Sequence, residues 1–238
     1  MNAEVKIFNN EEQLFNNAAK EITELINFFI SKNNKCTWVL SGGSTPNKLY
    51  EIICNNYNDK VNWEKVFIFW GDERCVPPEN DESNYKSAKI HLLDKLPIPQ
   101  QNIFRIPGEL LPIEAAEIYE SELKDFFPGD GLPSLDILLL GIGKDGHTAS
   151  LFPEGKALLE NNKWVTADFI NKLNTWRVTI TLPVINNSKN IIFIASGSDK
   201  ASIVNKVLND KDANLPAQKV KPLTGKLYWF LDKNAAKV

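Results

Sequence analysis

The stretch "LLLGIGKDGHTASLFPE" (residues 138–154) joins an apolar run to a glycine-rich loop that also contains a histidine. The apolar run predicts a strand that is covered on both faces, as in a parallel sheet. The loop at 141–146 has the spacing G-x-G-x-x-G of a dinucleotide-binding turn, and Asp145 and His147 lie in it or directly after it. Two interpretations follow: the loop could cradle the pyrophosphate of a cofactor, or it could carry a catalytic imidazole.

Similar strand-like runs recur along the chain and alternate with helical patterns. The strand-like runs are VKIF (5–8), TWVLS (37–41), KVFIFWG (65–71), LDILLLGIG (135–143), WRVTITL (176–182), NIIFIASG (190–197) and KLYWFL (226–231). The helical patterns cover about 11–31, 46–56, 83–96, 113–127 and 198–209. This alternation predicts an α/β fold with a mainly parallel sheet covered by helices on both faces. Because no repeat or long linker divides the chain, we expect a single domain over residues 1–238.

The composition is that of an ordinary globular protein. Of the 238 residues, 43% are hydrophobic and 24% are charged, and the net charge is −3. No broad basic face is indicated, so we expect no nucleic-acid partner, although local cations could still bind an anionic small molecule. The longest apolar run is far too short to span a bilayer, so we expect no membrane association.

The cysteines indicate a reducing compartment. Cys36, Cys54 and Cys75 are odd in number and form no C-x-x-C pair, which argues against a disulfide framework or a thiolate metal site. The N-terminal segment lacks the basic and apolar regions of a signal peptide. We therefore expect a cytoplasmic protein.

Ligands of parallel α/β sheets collect at the carboxyl ends of the strands, so the loops that follow strands are the ones to examine. In the first, Gly42 and Gly43 let the backbone approach a ligand closely, and Ser44 or Thr45 could cap the helix that Pro46 begins. The backbone N–H groups and the helix dipole would then bind an anion. A plain strand-to-helix turn explains the same residues, and the lysine of a nucleotide-binding P-loop is missing.

The second loop places charges directly after a buried strand. Charged side chains are costly there unless they are exposed, paired or part of a site. Arg74 offers a planar fork to a phosphate or a developing oxyanion, and Asp72 could orient a histidine or pair with Arg74. The alternative is a solvated turn.

The third loop is the opening stretch. A dinucleotide-binding turn leads into an uninterrupted helix, but Pro153 and Gly155 break the pattern here, although Asp168 downstream could bind a ribose. The other interpretation places His147 at a helix N-terminus with Asp145 beside it. The dipole would lower the basicity of the imidazole and the carboxylate would raise it, a balance that suits a general base. A purely structural histidine is the third alternative.

The fourth loop, at 196–200, again joins a strand to a helix start through a glycine. Lys200 falls in the first helical turn, where a cation opposes the dipole unless an anion binds there. Otherwise Lys200 is simply solvated. Arg177, at the start of another strand, could add a cation or serve the structure. His91, the other histidine of the chain, lies in a helical pattern without a glycine loop or an acid pair, and we interpret it as structural or superficial.

Taken together, these motifs resemble the 6-phosphogluconolactonases, in the superfamily that they share with the glucosamine-6-phosphate deaminases. The matching pieces are LSGGSTP, FWGDERCVP, SNY (83–85), LLLGIGKDGHTASLFP, RVTITLP, SGSDKA and, near the end, PLTGKLYWFLD. The resemblance implies a three-layer, modified Rossmann-like α/β fold without a nucleotide cofactor or a metal. It also implies hydrolysis of 6-phospho-D-glucono-1,5-lactone, the second step of the oxidative pentose phosphate pathway.

The resemblance also implies roles for individual residues. His147 looks like the base that activates water and returns a proton to the departing ring oxygen, and Asp145 looks like the residue that orients its imidazole. Arg74, Lys200 and the backbone of 42–44 look like contacts to the anionic substrate, and which cation binds the phosphate stays open.

Two further positions align with the deaminases. Arg177 aligns with a phosphate-binding arginine, and Asp72 aligns with their proton-transfer acid, a role that a lactonase does not require. Deaminases have a glutamate where this chain has Phe152, and a tyrosine where it has Arg74, so deamination is the weaker alternative. A non-catalytic sugar-phosphate sensor is another. We expect a monomer with a functional link to glucose-6-phosphate dehydrogenase, which acts one step earlier.

Overall fold

A computed structural model of the protein describes residues 3–129 and 131–237. The strands are β1 (Glu4–Phe8), β2 (Cys36–Leu40), β3 (Val66–Trp70), β4 (Asp72–Arg74), β5 (Ile137–Leu140), β6 (Val165–Ile170), β7 (Thr175–Ile180), β8 (Asn190–Ala195) and β9 (Lys226–Asp232). The helices are α1 (Glu11–Asn33), α2 (Ser44–Tyr57), α3 (Asn84–His91), α4 (Pro112–Phe126), α5 (Leu182–Asn186), α6 (Ala201–Asn209) and α7 (Lys233–Ala236). Each strand-like run and helical pattern of the sequence overlaps one of these elements.

The main sheet has the order β1-β9-β8-β5-β2-β3, and all of its neighbouring strands are parallel. Strands β2, β5 and β8 are buried at every residue, which requires cover on both faces of the sheet. The predicted α/β fold with a mainly parallel sheet flanked by helices is therefore confirmed.

Helix α1 illustrates how the sequence builds this cover. The Asn10 side chain caps it by accepting the Gln13 N–H at 2.9 Å, and Asn34 ends it in the left-handed conformation with φ of 60°. Leu14, Ile22 and Ile26 lie on one stripe and are fully buried. In the described residues no helix is both long and apolar enough to cross a membrane.

The strand order brings together the four loops in which the sequence predicts ligand contacts. Strands β8, β5, β2 and β3 are consecutive neighbours, and because they are parallel their carboxyl ends lie at the same edge of the sheet. The loops that begin at 41, 71, 141 and 196 follow these strands directly.

A smaller antiparallel sheet, with the order β4-β7-β6, was not predicted. Strand β4 is only three residues long and consists of Asp72, Glu73 and Arg74, so no apolar run in the sequence predicts it. Strand β6 mixes polar and apolar residues. The run at 176–182 forms β7 of this smaller sheet, where Arg177 lies opposite Arg74.

Candidate functional site

The loops after β8, β5, β2 and β3 enclose a cleft of about 660 Å³. That volume lies in the range of small-molecule sites. Most of the predicted site residues line the cleft: Gly42, Gly43, Ser44, Thr45, Asp72, Arg74, His147 and Lys200. Two predicted residues lie behind this lining. Asp145 contacts His147, and Arg177 is the strand-register partner of Arg74.

The His147 ring is fixed by Asp145. The ring Nδ1 lies 2.5 Å from Asp145 Oδ1, and the backbone N–H of His147 donates to the same oxygen at 3.2 Å. A carboxylate only accepts hydrogen bonds, so in the neutral ring the proton is on Nδ1. Nε2 is then left as the basic nitrogen of a side chain that lines the cleft.

The glycines of this loop make room for the histidine. A methyl group at Gly143 would lie 2.0 Å from Cε1 of His147, so only glycine leaves space for the imidazole in its present position. The Gly143 N–H donates to the His147 carbonyl at 2.9 Å, and the Gly146 N–H donates to the Gly143 carbonyl at 2.9 Å. Gly146 has φ of 80°, a conformation that glycine adopts without strain. The glycine spacing therefore serves the geometry of His147.

The predicted helix N-terminus at His147 is wrong. Residues 141–155 form turns and an isolated bridge, and Ala149 has φ of 46°, so the chain reverses direction instead of continuing as a helix. The first helical residues downstream are the short 3-10 turn Lys156–Leu159. No helix dipole acts on the imidazole from this side.

Burial, not a dipole, sets the proton affinity of His147. It lowers the pKa of His147 from 6.5 to about 4, with Asp72 opposing the shift and Lys200, Arg177 and Arg74 reinforcing it. The Phe152 ring stacks on the imidazole with a centroid distance of 4.2 Å and an interplanar angle of 28°. Because burial outweighs the opposing effect of Asp72, the ring is neutral at neutral pH.

The geometry of this loop does not favour a dinucleotide. A pyrophosphate would need a helix N-terminus after the last glycine, and only turns follow it. Asp168, the candidate ribose ligand, is buried, and its Oδ2 accepts the Ala157 N–H at 3.0 Å. That carboxylate therefore holds the loop that follows His147.

Asp72 is held at the cleft by neighbours from two other segments. Ser150 Oγ donates to Asp72 Oδ2 at 2.7 Å, and Asn84 Nδ2 donates to the Asp72 carbonyl at 2.9 Å. The Asn84 amide also occupies the space that a side chain at Gly42 would need, since a methyl group there would lie 1.7 Å from Asn84 Oδ1. The predicted pairing of Asp72 with Arg74 or His147 is not present as a hydrogen bond or ion pair among the described residues.

Glu73, for which the sequence motifs predicted no role, connects β4 to the start of α3 by hydrogen bonds. Its Oε1 accepts the backbone N–H groups of Arg74 at 2.8 Å and Asn84 at 2.7 Å. Its Oε2 accepts the Tyr85 N–H at 2.7 Å and the Ser83 hydroxyl at 3.1 Å. Burial raises the pKa of Glu73, and the three backbone donors oppose that shift. The GDER and SNY motifs are therefore two halves of one hydrogen-bonded unit.

Arg74 and Arg177 form an adjacent pair of positive charges, and Asp72 and Glu82 act on Arg177 only from beyond ion-pair distance. They are register partners across β4 and β7, and among the described residues neither has a carboxylate within ion-pair distance. Arg74 donates to the Glu82 carbonyl, and Arg177 donates to Thr175 Oγ1 at 3.0 Å. Burial and the neighbouring Arg74 lower the pKa of Arg177. Two adjacent guanidinium groups favour an anion between or beside them.

The first loop, at residues 41–45, offers backbone groups more than side chains to the cleft. Gly43, with φ of 111°, is the N-cap of α2, and no side chain caps the helix. The predicted capping by Ser44 or Thr45 is therefore wrong, because both residues already belong to the first turn. Gly43, Ser44 and Thr45 line the cleft, so this helix start lies where a helix N-terminus could bind an anion.

Lys200 completes the positive side of the cleft. It lies at the end of the 3-10 turn Ser198–Lys200, directly before α6, and its Nζ donates to the Ile142 carbonyl at 3.0 Å. In the chain as described, no group of three or more His, Cys, Asp or Glu side chains is arranged to hold a metal ion.

Sequence reasoning gave no role to Asn84, Ser150 or Phe152. Asn84 and Ser150 contact Asp72 across 12 and 78 residues of sequence, so no local pattern could reveal the contacts. All three residues belonged to matched motifs, Asn84 to SNY and the other two to LLLGIGKDGHTASLFP, and this membership was the available signal.

The chain is similar to known proteins over nearly its whole length. The model of the family described as glucosamine-6-phosphate isomerases/6-phosphogluconolactonase matches residues 9–229. A 6-phosphogluconolactonase of Synechocystis is 35% identical over 240 residues, which cover 99% of this chain and 98% of that protein. A protein of Oryza sativa described as probable 6-phosphogluconolactonase 4, chloroplastic, is 39% identical over 246 residues, covering 98% of this chain and 75% of the relative.

A solved structure gives the same result. The 6-phosphogluconolactonase of Trypanosoma brucei superposes with a TM-score of 0.90 at 27% identity, covering 99% of this chain and 98% of that one. The resemblance seen in the sequence motifs is confirmed, and the chain belongs to the glucosamine-6-phosphate isomerase/6-phosphogluconolactonase family.

Proposed function

We propose that this protein hydrolyses 6-phospho-D-glucono-1,5-lactone to 6-phospho-D-gluconate, with His147 as the general base. The relatives named 6-phosphogluconolactonase support the activity. The observation that carries the mechanism is the orientation of His147: Asp145 holds the proton on Nδ1, and the basic Nε2 belongs to a side chain that lines a cleft together with Arg74 and Lys200.

The reaction proceeds by two proton transfers through one ring. His147 Nε2 takes a proton from water as the water oxygen attacks the lactone carbonyl carbon, which gives a tetrahedral oxyanion and an imidazolium. The bond from this carbon to the ring oxygen then breaks, and the imidazolium returns its proton to the departing oxygen. Asp145 keeps the ring in the required tautomer and stabilises the imidazolium while it exists.

The cations supply substrate binding and charge stabilisation. Arg74, Arg177 and Lys200 provide three positive charges for a dianionic phosphate and a transient oxyanion. The helix start at Gly43 adds backbone donors. Arg74 and Lys200 line the cleft from different loops, so they can contact different anionic groups of the substrate, and Arg177 lies beside Arg74 behind the lining.

Phe152 favours lactone hydrolysis over deamination within this family. The resemblance to the deaminases implies that they have a glutamate at this position, where it assists sugar ring opening. Here an aromatic ring stacks on His147 at 4.2 Å, so the position offers no carboxylate to the substrate. Lactone hydrolysis needs only the base and its orienting acid. A sugar-phosphate sensor would need the cations but no fixed imidazole.

We further propose one domain over residues 1–238, active as a monomer in the cytoplasm and linked in function to glucose-6-phosphate dehydrogenase. Cys36, Cys54 and Cys75 are free thiols, which suits a reducing compartment. Size-exclusion chromatography with light scattering tests the monomer, and a dimer at micromolar concentration would contradict it.

The activity is tested by adding purified protein to freshly generated 6-phosphogluconolactone and following acid release. We expect acid release well above the spontaneous rate, unaffected by a chelator or by the absence of nucleotides. Glucosamine 6-phosphate serves as the competing substrate, from which no ammonia is expected. Ammonia release without faster lactone opening would favour the deaminase.

A further inference from the structure

We propose that Lys172 is a positioning residue for His147: it fixes Asp145 and Phe152, the two side chains that hold the imidazole, and weakens the attraction of Asp145 for a proton on that ring. The mechanistic consequence rests on the proposed function, whereas the effect on the ring itself does not. No sequence motif includes Lys172.

Lys172 contacts both partners of the imidazole. Its Nζ lies against Asp145 Oδ2, while Asp145 Oδ1 binds His147. The same Nζ lies 4.7 Å from the centroid of the Phe152 ring, which stacks on the imidazole. The Asp145 carboxylate is therefore shared between this ammonium group and the imidazole, and the same ammonium also contacts the aromatic ring.

Lys172 lies in a turn between two strands of the smaller sheet. It lies in the 3-10 turn Asn171–Leu173 that joins β6 to β7, and Asn174 closes the turn in the left-handed conformation with φ of 49°. The adjoining strand β7 carries Arg177 and pairs with β4, which carries Arg74. The smaller sheet thus presents cations both to the cleft and to the far side of Asp145.

Lys172 does not line the substrate cleft. It lines a separate hollow of about 270 Å³ together with Asp145 and Phe152. An effect of Lys172 on the reaction would therefore pass through Asp145 and Phe152 and not through contact with the substrate.

The charges around the imidazole determine the direction of the effect. The charged groups that act on His147 are Asp145 and Asp72, which favour its protonation, and Arg74, Arg177 and Lys200, which oppose it. Lys172 faces Asp145 from the opposite side. Without Lys172 the full negative charge of Asp145 would act on the ring, so the imidazolium would be more stable and the pKa of His147 would rise.

The effect should be moderate, because the Lys172 side chain is 50% exposed. Water screens an ion pair at such a position. We expect Lys172→Met to raise the titration midpoint of His147 by about 0.3 to 1 pH unit. Turnover at pH 8, where the ring is neutral either way, should change by no more than about threefold.

A matched control exists elsewhere in the chain. Lys124 also pairs with a carboxylate, that of Glu120, and also covers an aromatic ring, with its Nζ 5.6 Å from the Trp164 centroid. Its side chain is 54% exposed. Lys124→Met therefore removes the same kinds of contact and the same charge at a position that does not adjoin Asp145.

The experiment is a titration of the histidine ring nitrogens by NMR in untagged, ¹⁵N-labelled protein. The chain contains 2 histidines, so a His91→Gln variant assigns both sets of signals. Lys172→Met should raise the His147 midpoint, Lys172→Arg should restore it, and Lys124→Met should leave it in place. Lys172→Gln serves as the second neutral variant should the methionine variant not fold.

The acid limb of the pH–rate profile should move upward with the NMR midpoint. An unchanged or lowered midpoint in both neutral variants, or an equal rise in Lys124→Met, would overturn the proposal. The NMR result holds even for a protein without lactonase activity, so failure of the proposed function is seen separately, in the parent's acid-release assay.

Discussion

The two histidines of this chain have the same kind of immediate partner, a carboxylate at Nδ1, and different surroundings. His147 Nδ1 lies 2.5 Å from Asp145, and His91 Nδ1 lies 2.8 Å from Glu51. Their side chains are 31% and 28% exposed. His91 is the last residue of α3, and neither it nor Glu51 lines the cleft.

The difference lies in what the backbone and the neighbouring charges provide. Gly143 gives the His147 ring its space, Phe152 stacks on it, and Asp72 and the arginine pair act on it electrostatically. His91 has a carboxylate partner on a neighbouring helix and no such frame. A carboxylate–imidazole pair is therefore not sufficient to identify a catalytic histidine.

The strongest test of the difference between the two histidines is to remove each ring in turn. His147→Ala should lose roughly 10²- to 10⁴-fold in turnover, the usual contribution of a positioned base. His91→Ala should keep the parent turnover. Acid release and melting temperature are to be measured on the same preparations, and equal losses in the two variants would end the distinction.

The next test keeps the His147 side chain but shifts the position of its ring. Gly143→Ala would put a methyl group 2.0 Å from the present position of His147 Cε1, so the ring must move. A displacement of about 1 Å can cost on the order of 10²-fold in rate, and we expect a loss of that size with the fold retained. Gly131→Ala, where a methyl group meets nothing within 4 Å, is the control. Parent activity in Gly143→Ala would show that the ring position is not critical.

A third test concerns Arg74, a cation that lines the cleft with His147. Arg74→Ala should raise KM for the phosphorylated lactone by roughly tenfold to a hundredfold, because a charge-assisted contact contributes about 1.5–3 kcal/mol. The control is Arg105→Ala, since Arg105 is already paired with Glu109 by hydrogen bonds of 2.7 and 2.5 Å. Steady-state kinetics with unphosphorylated gluconolactone should show little change. An equal effect on both lactones would remove the argument for a phosphate contact.

The smallest expected effect is on stability. Burial lowers the folded-state pKa of His147 from 6.5 to about 4, so the unfolded chain takes up a proton first as the pH falls. The stability that depends on a neutral His147 is fully present above about pH 6.5 and is lost toward pH 4. Between pH 7 and 4.5 the parent should lose about 1–2 kcal/mol more unfolding free energy than His147→Gln, measured by urea denaturation. Identical losses would mean that the ring is not buried as described.

The sequence alone was sufficient for the strands that form the site edge. Strands β2, β3, β5 and β8 lie in the interior of the main sheet or at its covered edge, so they appear as apolar runs followed by glycine loops. Strand β4 could not be recognised in this way, because its three residues are all charged.

The site itself was only partly predictable. Asp145, His147, Arg74 and Lys200 stand in local motifs, whereas Lys172 reaches Asp145 from a turn 27 residues away and belongs to no pattern. The expected helix at His147 failed because positive φ angles at 146 and 149 turn the chain back on itself. Backbone conformations of this kind leave little trace in a single sequence when one of the two positions is an alanine.

The central claim is that His147 acts as the general base, and chemical rescue tests it most directly. Folded His147→Ala should regain turnover when imidazole is added, with a gain that saturates and follows the concentration of neutral imidazole as pH is varied. The imidazole-dependent reaction without protein is subtracted, and His91→Ala should gain nothing. A His147→Ala protein that imidazole leaves unchanged, or that hydrolyses the lactone at the parent rate without it, would contradict the assignment.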